Sequence, residues 1–531
     1  MLDTKWWQRA VVYQIYPRSF QDSNGDGVGD LPGITKRLSH LVDLGIDAVW
    51  LSPVFTSPME DFGYDIADYC GIDPLFGSMQ DFDDLLDTAH SYGIKLLLDL
   101  VPNHTSSQHP WFAESRSSRQ SPKRDWYIWR NPGRTGGPPN NWLSEFGGSA
   151  WAYDEASGQY YYHAFLDSQP DLNWRNPEVR SALHDVMRFW LRKGVDGFRI
   201  DVLWHLIKDD QFRDNPVNPD FREGQPPHWL VLPLYTTDRP EVHEVVAGFR
   251  KVANEFDDRL LIGEIYLPPE RLVAYYGKDQ EGVHLPFNFG LLEARWHAPQ
   301  VARLIEQYEE ALPSGSWPNW VLGNHDRPRI ATRIGPAQAR VAAMLLLTLR
   351  GTPTIYYGDE IGMTNAEIPA DLVCDPLGKS VPSLGRDGAR APMRWDATRY
   401  GGFSETAPWC AGANQEDGPN VAEQRETAGS MLSLYKRLMG ARRERPALAI
   451  GSYHPLAATG DVLLFQRSGT GLASIIVALN LGDQPAAAVL HSGLGTGKVI
   501  VSAFGDRIGE IIRGEVDLRP DEGLVIELDG D

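Results

Sequence analysis

Residues 94–104 read "IKLLLDLVPNH". A near-continuous apolar run ends on Pro, Asn and His. Such a run suits a parallel strand buried on both faces, and it leaves its polar residues at the C-terminal end. Seven further stretches share this build: "AVVYQIYPRSF" (10–20), "IDAVWLSP" (46–53), "VDGFRID" (195–201), "LLIGEIY" (260–266), "HLPFNF" (284–289), "NWVLGNHD" (319–326) and "TPTIYYGDE" (352–360). Helical patterns lie between them, among them "DFDDLLDTAHSYG" (81–93) and "EVRSALHDVMRFWLRKG" (178–194). Strand and helix alternating eight times predict an α/β fold, a (β/α)8 barrel.

Two stretches break the alternation. Residues 105–172 are rich in Ser, Gly, Pro and Trp, as in "NPGRTGGPPNNWLSEFGGSAW" (131–151), too long for a plain loop and expected to form an inserted domain after the third strand. A second excursion, 364–411, follows the eighth strand. The barrel is thus expected over 1–104 and 173–449, closing with a helix near 429–445. Over 450–531, "DVLLFQRSG", "ASIIVALNL", "KVIVSAF" and "EGLVIELDG" are spaced β runs that predict a C-terminal antiparallel β-sandwich.

Composition narrows the partners. The 531 residues carry a formal net charge of −21, which repels polyphosphate and argues against nucleic acid. No run approaches the apolar length of a membrane span, and the opening "MLDTKWWQRAVVYQIY" lacks the pattern of a signal peptide. The cysteines, Cys70, Cys374 and Cys410, are odd in number and far apart. They read as structural thiols of a reducing, cytoplasmic compartment.

In this fold the C-terminal ends of the strands carry the chemistry. Asn103 and His104, Asp201, Glu264, His325 and Asp326 all fall there. Holding three carboxylates at one mouth is costly, because like charges raise one another's pKa. Glycoside hydrolysis needs that arrangement: one carboxylate attacks the anomeric carbon and a protonated one supplies the leaving oxygen. Arg199, two residues before Asp201, points the same way from a strand and would keep it ionised.

"DLVPNH" (99–104), "GFRIDVL" (197–203), "GEI" (263–265) and "NHD" (324–326) resemble, in order, the four sequence regions of the α-amylase superfamily, glycoside hydrolase family 13. "GYDIADY" (63–69), "QPDLN" (169–173) and "GRDGARAPMRWD" (385–396) are similar to the branch of bacterial α-glucosidase and oligo-1,6-glucosidase. The resemblance implies Asp201 as nucleophile, Glu264 as acid and base, and Asp326 as the holder of the sugar 2- and 3-hydroxyls. The carboxyl spacing would be the roughly 5–5.5 Å of a retaining enzyme. It further implies hydroxyl contacts from His104 and His325, a sugar ring stacked on Tyr64, and Asp61 paired with Arg390 behind the outermost sugar. Phe146 and Phe165 are implied at the next sugar site.

The expected activity is an exo-acting, retaining α-glucosidase on short α-glucosides such as maltose, with broad linkage tolerance and some transglucosylation. The alternatives are an oligo-1,6-glucosidase, or a transglucosidase or sugar isomerase such as trehalose synthase or sucrose isomerase. More remote is a non-enzymatic transporter heavy chain, which would be expected to lack the carboxylates. Val202, after the nucleophile, is a residue this branch associates with α-1,6 bonds, while "YLPPERLVAYYG" (266–277) departs from the oligo-1,6-glucosidase pattern. The chain is expected to act as a monomer or homodimer, without an organic cofactor.

"DSNGDGVGD" (22–30) suggests a cation loop. A calcium hand would need Glu at its twelfth position, which is Gly33, and a helix before it where a strand is expected. Asp22, Asn24, Asp26 and Asp30, with a carbonyl near Val28, still supply hard oxygens for a structural Ca2+ or Mg2+. The loop also resembles the metal loop of the same enzyme branch. The competing reading is a cluster of Asx turns.

Overall fold

A computed structural model of the chain describes residues 4–410, 418–490 and 495–529. The outer ends of the segments delimited above (residues 1–3, 411 and 530–531) lie outside the described residues. Eight parallel strands form the centre: β1 (Val12–Ile15), β2 (Ala48–Leu51), β3 (Lys95–Leu100), β4 (Gly197–Ile200), β5 (Leu260–Gly263), β6 (Leu285–Pro286), β7 (Asn319–Val321) and β8 (Thr352–Tyr356). Their order is β6-β5-β4-β3-β2-β1-β8-β7. A parallel bridge between Asn288 and Trp320 joins the two ends, so the sheet closes on itself. Val12, Ala48, Trp50, Leu97, Leu260, Ile262, Leu285 and Val321 fill the interior as one buried cluster.

Local signals explain the surrounding helices: α1 (Leu31–Leu44), α2 (Met79–Ser91), α3 (Pro177–Lys193), α4 (Val242–Ala253), α5 (Ala298–Ala311), α6 (Pro336–Thr348) and α7 (Met431–Glu444). In α3, Asn176 caps the first turn, Pro177 opens it, and Gly194 at φ 111° ends it. Val179, Leu183, Val186, Met187 and Trp190 recur at helical spacing and face the sheet. One expected helix is missing. Between β5 and β6 there is only Pro269–Leu272 and a 3-10 turn, Val273–Tyr276. The paired Pro268 and Pro269 delay the helix start, and Gly277 at φ 77° ends the helical stretch after Tyr276.

Residues 105–172 carry a helix, Pro110–Ser117, and a three-stranded antiparallel sheet of Trp129–Arg130, Gln159–Tyr162 and Trp151–Asp154. Bridges His104–Asp171 and Tyr127–Leu172 pin this insertion beside the end of β3. From Ser452 to Leu528 an antiparallel sheet of eight strands follows. It folds over so that Val462, Leu464 and Ile476 share a core with Ala488, Val516 and Leu518. Buried Arg467 ties it to the barrel, donating to the carbonyls of Leu448 at 2.9 Å and Gly451 at 2.7 Å and to that of Thr348 in α6.

Candidate active site

Strand register puts the polar residues in one layer. Asp99 on β3 pairs with Arg199 on β4, and Arg199 pairs with Ile262 on β5. β4 and β5 approach closely because residue 197 is glycine: a Cβ there would lie 2.0 Å from the carbonyl oxygen of Leu260. One residue beyond each strand stand Asp201 and Glu264.

Arg199, fully buried, is the hub. Its Nη1 donates to Asp201 Oδ1 at 2.7 Å and to Asp99 Oδ1 at 2.8 Å, and its Nη2 lies 2.7 Å from Glu264 Oε2. Glu264 Oε2 also accepts the main-chain N–H of Val202 at 2.9 Å. Val202 adopts φ 35°, ψ 47°, a left-handed conformation in which a β-branched residue is strained. Asp99 accepts from Tyr64 OH at 3.0 Å and Trp50 Nε1 at 3.1 Å.

Burial raises Asp99 to about 6 against the pull of Arg199. Burial also lifts Asp201 well above the usual carboxylate range; Arg199 opposes this, while Glu264 and Asp99 add to it. The mutual repulsion of carboxylates gathered on one guanidinium is the reason Glu264 and Asp99 push Asp201 up. Burial favours loss of the Arg199 proton, but Asp99 and Glu264 outweigh it and hold the guanidinium charged.

Asp326 is the most open of the three carboxylates, its side chain 27% exposed against 8% for Asp201 and 5% for Glu264. Arg390 Nη2 reaches it at 2.9 Å and Arg386 Nη1 at 3.2 Å. Burial alone would raise its pKa; His325, Arg386 and Arg390 overcome that and keep it ionised. Asp61 is paired at 2.7 Å with Arg386, not with Arg390 as expected. Arg390 lies one turn further along the 3-10 segment Asp387–Arg390, and its Nε donates to the carbonyl of His325 at 2.8 Å.

The expected aromatic and imidazole contacts gather around this pair. His325 stacks on Tyr64 at 5.2 Å and 3°, and Gln14 holds its Nδ1 at 2.8 Å. Burial lowers His325 to about 3, so it is neutral beside Asp326. His104 Nε2 is 3.0 Å from the carbonyl of Tyr64, and burial likewise depresses its pKa. Phe165 lies 5.2 Å from His104 and 6.2 Å from Phe146, whose ring has Arg386 above it at 5.3 Å. Sequence reasoning gave no role to Arg386, Asp99 or Asp375, nor to Gln169, whose Nε2 lies 3.3 Å from Asp61 Oδ2 and 3.2 Å from His104 Nε2. Arg386 was legible as the first arginine of "GRDGAR", and Asp99 as the acid one layer below the strand end. Asp375, 2.7 Å from Arg386, lies in the 364–411 excursion, where no periodicity marks it.

The loop 22–30 forms a cage of turns. Asp22 accepts from the amides of Asn24 (3.0 Å), Gly25 (2.7 Å) and Gly27 (2.9 Å) and from Ser404 Oγ (2.6 Å). Asn24 Oδ1 accepts from Asp26 N at 2.9 Å, Asp26 from Val28 N at 2.8 Å, and Asp30 caps α1 through Gly33 N at 2.6 Å. The donor chemistry suits a hard cation. In this geometry, however, the carboxylates face their own amides, and no cluster of three His, Cys, Asp or Glu among the described residues is set to hold a metal.

Residues 14–451 match the family described as "Alpha amylase, catalytic domain". A "Probable alpha-glucosidase" of Rhizobium meliloti (strain 1021) is 43% identical over 91% of each chain. "Maltase A1" of Drosophila melanogaster is 40% identical over 90% of this chain and 88% of its own length. Among solved structures, the α-glucosyl transfer enzyme XgtA superposes at TM-score 0.93 and 39% identity over 99% of this chain and all of its own, 100%. The trehalulose synthase MutB from Pseudomonas mesoacidophila MX-45 does so at 0.90 and 32%, over 99% and 100%. An arginine-centred carboxylate cluster at the mouth of a (β/α)8 barrel, on a chain this close to those proteins, places the protein in the α-amylase family as a glycoside hydrolase.

Proposed function

We propose that the protein is a retaining, exo-acting α-glucosidase that releases α-glucose from the non-reducing end of maltose-like α-glucosides with broad linkage tolerance. One observation carries this: the two terminal nitrogens of Arg199 each hold one of the two working carboxylates, Asp201 and Glu264, at 2.7 Å. Two carboxyl groups on one guanidinium suit the short spacing of a retaining pair, not the wider gap that admits a water. Asp201 attacks C1 while Glu264 gives its proton to the leaving glycosidic oxygen, forming a β-glucosyl ester. Glu264 then takes a proton from water, which attacks C1 and frees Asp201. Asp326, ionised, binds the sugar hydroxyls as the ring flattens. Asp61 and Arg386 close the pocket behind one sugar, which supports exo action. The α-glucosidase and maltase relatives support the substrate class.

A second reading keeps the same glucosyl-enzyme and replaces water with a sugar hydroxyl. The likeness to a glucosyl-transfer enzyme and a trehalulose synthase favours some transfer. Chromatography of products from maltose and sucrose separates the two: mainly free glucose supports hydrolysis, while trehalulose or isomaltulose from sucrose overturns it. The anomer released first, read by NMR, tests retention.

For the loop 22–30 we propose a structural Ca2+ or Mg2+ that takes no part in the chemistry, supported by the hard oxygens of Asp22, Asn24, Asp26, Val28 and Asp30. We further propose cytoplasmic residence as a monomer or homodimer. Its support is the sparse cysteine content; no helix of the described residues is long and apolar enough to cross a membrane.

A further inference from the structure

The turn that presents Asp61 and Tyr64 is strained. Met59 at φ 64° and Phe62 at φ 53° both adopt left-handed backbone. Residues other than glycine keep that conformation only where their surroundings hold it. Part of the hold is polar: Asp65 accepts the amides of Glu60 at 2.8 Å and Asp61 at 3.1 Å. Phe62 is held through its ring. The Cζ of Arg18 lies 5.0 Å from the ring centroid and that of Arg390 5.5 Å. Arg18 is shared with a second ring, that of Trp409, also at 5.0 Å, and the two rings are 5.3 Å apart.

Arg18 is buried, its Nε has no hydrogen-bond partner, and among the described residues it forms no ion pair. Burial lowers its pKa, and the charge of Arg390 adds to that. A buried cation without a carboxylate is costly; the π faces of Phe62 and Trp409 offset part of the cost. Main-chain bonds fix the cation and the outer ring. The carbonyl of Arg18 accepts Gly29 N–H at 2.8 Å, that of Gly27 accepts Trp409 N–H at 2.9 Å, and Trp409 Nε1 donates to Ser19 Oγ at 3.0 Å. Phe62 docks onto this fixed pair, and its chain neighbours belong to the pocket. Asp61, one residue before, is paired with Arg386; Tyr64, two residues after, is stacked on His325.

We propose that Arg18 is a positioning residue for the terminal sugar: through the ring of Phe62 it fixes the turn 59–64, and with it Asp61 and Tyr64. This rests on the α-glucosidase reading, in which those two residues meet the non-reducing glucose.

The test compares the full-length parent with Arg18→Met, which keeps bulk and loses the cation, and Phe62→Leu, which loses the ring. Deoxynojirimycin, which occupies the place of the terminal glucose, is titrated by calorimetry; maltose and p-nitrophenyl α-glucoside are the substrates. Arg18→Met should weaken deoxynojirimycin about tenfold and raise both KM values by about the same factor, with kcat within about threefold of the parent. The double variant should bind deoxynojirimycin no more weakly than Phe62→Leu alone, since the cation acts through the ring. Unchanged affinity, a loss in kcat alone, a rise in KM for only one substrate, or additive losses in the double variant would overturn the proposal. If Arg18→Met does not fold, Phe62→Leu decides: undiminished deoxynojirimycin binding overturns the proposal, and a loss of about tenfold supports it. A parent that binds deoxynojirimycin but frees no glucose from either substrate overturns the α-glucosidase reading and leaves the affinity comparison to decide on Arg18.

Discussion

The main-chain N–H of Val202 donates to Oε2 of Glu264 at 2.9 Å, from a backbone held at φ 35°. The residue after the nucleophile thus orients the acid through its peptide, whatever its side chain does for linkage choice. Val202→Gly frees that backbone. Relief of about 1–3 kcal/mol of strain offsets the lost apolar burial, so the melting temperature should change little. We expect kcat on maltose to fall on the order of tenfold as Glu264 loses its fixed donor. Unchanged kcat with an unchanged pH profile would refute the positioning role.

Arg199 cannot be exchanged for lysine. A single ammonium cannot span Asp99, Asp201 and Glu264, as the two nitrogens of the guanidinium do. Arg199→Lys should lower kcat/KM by at least about a hundredfold. It should also cost roughly 3–5 kcal/mol of stability, the usual consequence of breaking a buried ion pair. Steady-state kinetics and urea denaturation measure the two losses separately.

Asp99 tunes the nucleophile from below. It raises the pKa of Asp201, so Asp99→Asn should move the acid limb of kcat/KM to lower pH. Asp99 itself is raised to about 6 in the folded chain, above the ordinary value of about 4. Its proton is held more tightly folded than unfolded, so its stabilising contribution is full below about pH 4 and is lost as pH rises through about 6. Asp326 has the opposite sign: its depressed pKa contributes stability above about pH 4 that is lost on acidification. Thermal melts of Asp99→Asn from pH 4 to 7 should show a smaller decline with rising pH than the parent.

Arg386 joins Asp61, Asp326 and Asp375. Arg386→Ala should raise KM for maltose about tenfold or more, with a smaller effect on kcat, because it disturbs the groups around the bound sugar and not the reacting carboxylates. If kcat falls while KM holds, Arg386 acts on the transition state instead.

Chelation tests the loop 22–30. EDTA should lower the melting temperature by a few degrees, and added Ca2+ should restore it, with the initial rate unchanged at assay temperature. A flat melting temperature with and without EDTA leaves the turns standing by their own hydrogen bonds. Asp30→Ala should cost about 1 kcal/mol in either case, since it removes the cap of α1.

The barrel was legible because buried parallel strands write themselves as apolar runs ending in polar residues. "IKLLLDLVPNH" contains Lys95–Leu100 and "VDGFRID" contains Gly197–Ile200. The residues that meet at the mouth could be read from those endings. Pairing could not. Whether Asp61 takes Arg386 or Arg390 depends on how a short 3-10 turn presents two arginines four positions apart, and no periodicity records that. The Val202 strain was invisible for the same reason: nothing in a valine announces a left-handed backbone. The missing helix before β6 was signalled by Pro268 and Pro269, but the regularity of its neighbours outweighed them.

Arg467 has no carboxylate partner among the described residues; carbonyls at the end of α6 and just beyond α7 surround its guanidinium instead, and burial depresses its pKa. A charge solvated in part by the barrel's peptides, the carbonyls of Thr348 and Leu448, makes the tail a lock for which the barrel holds the keyhole. Grafting this barrel onto a foreign tail, or trimming the chain at its last helix, would strip those carbonyls of their donor. Any recombination of such enzymes should therefore cross over outside residues 348–467, keeping the arginine and its carbonyls from one parent.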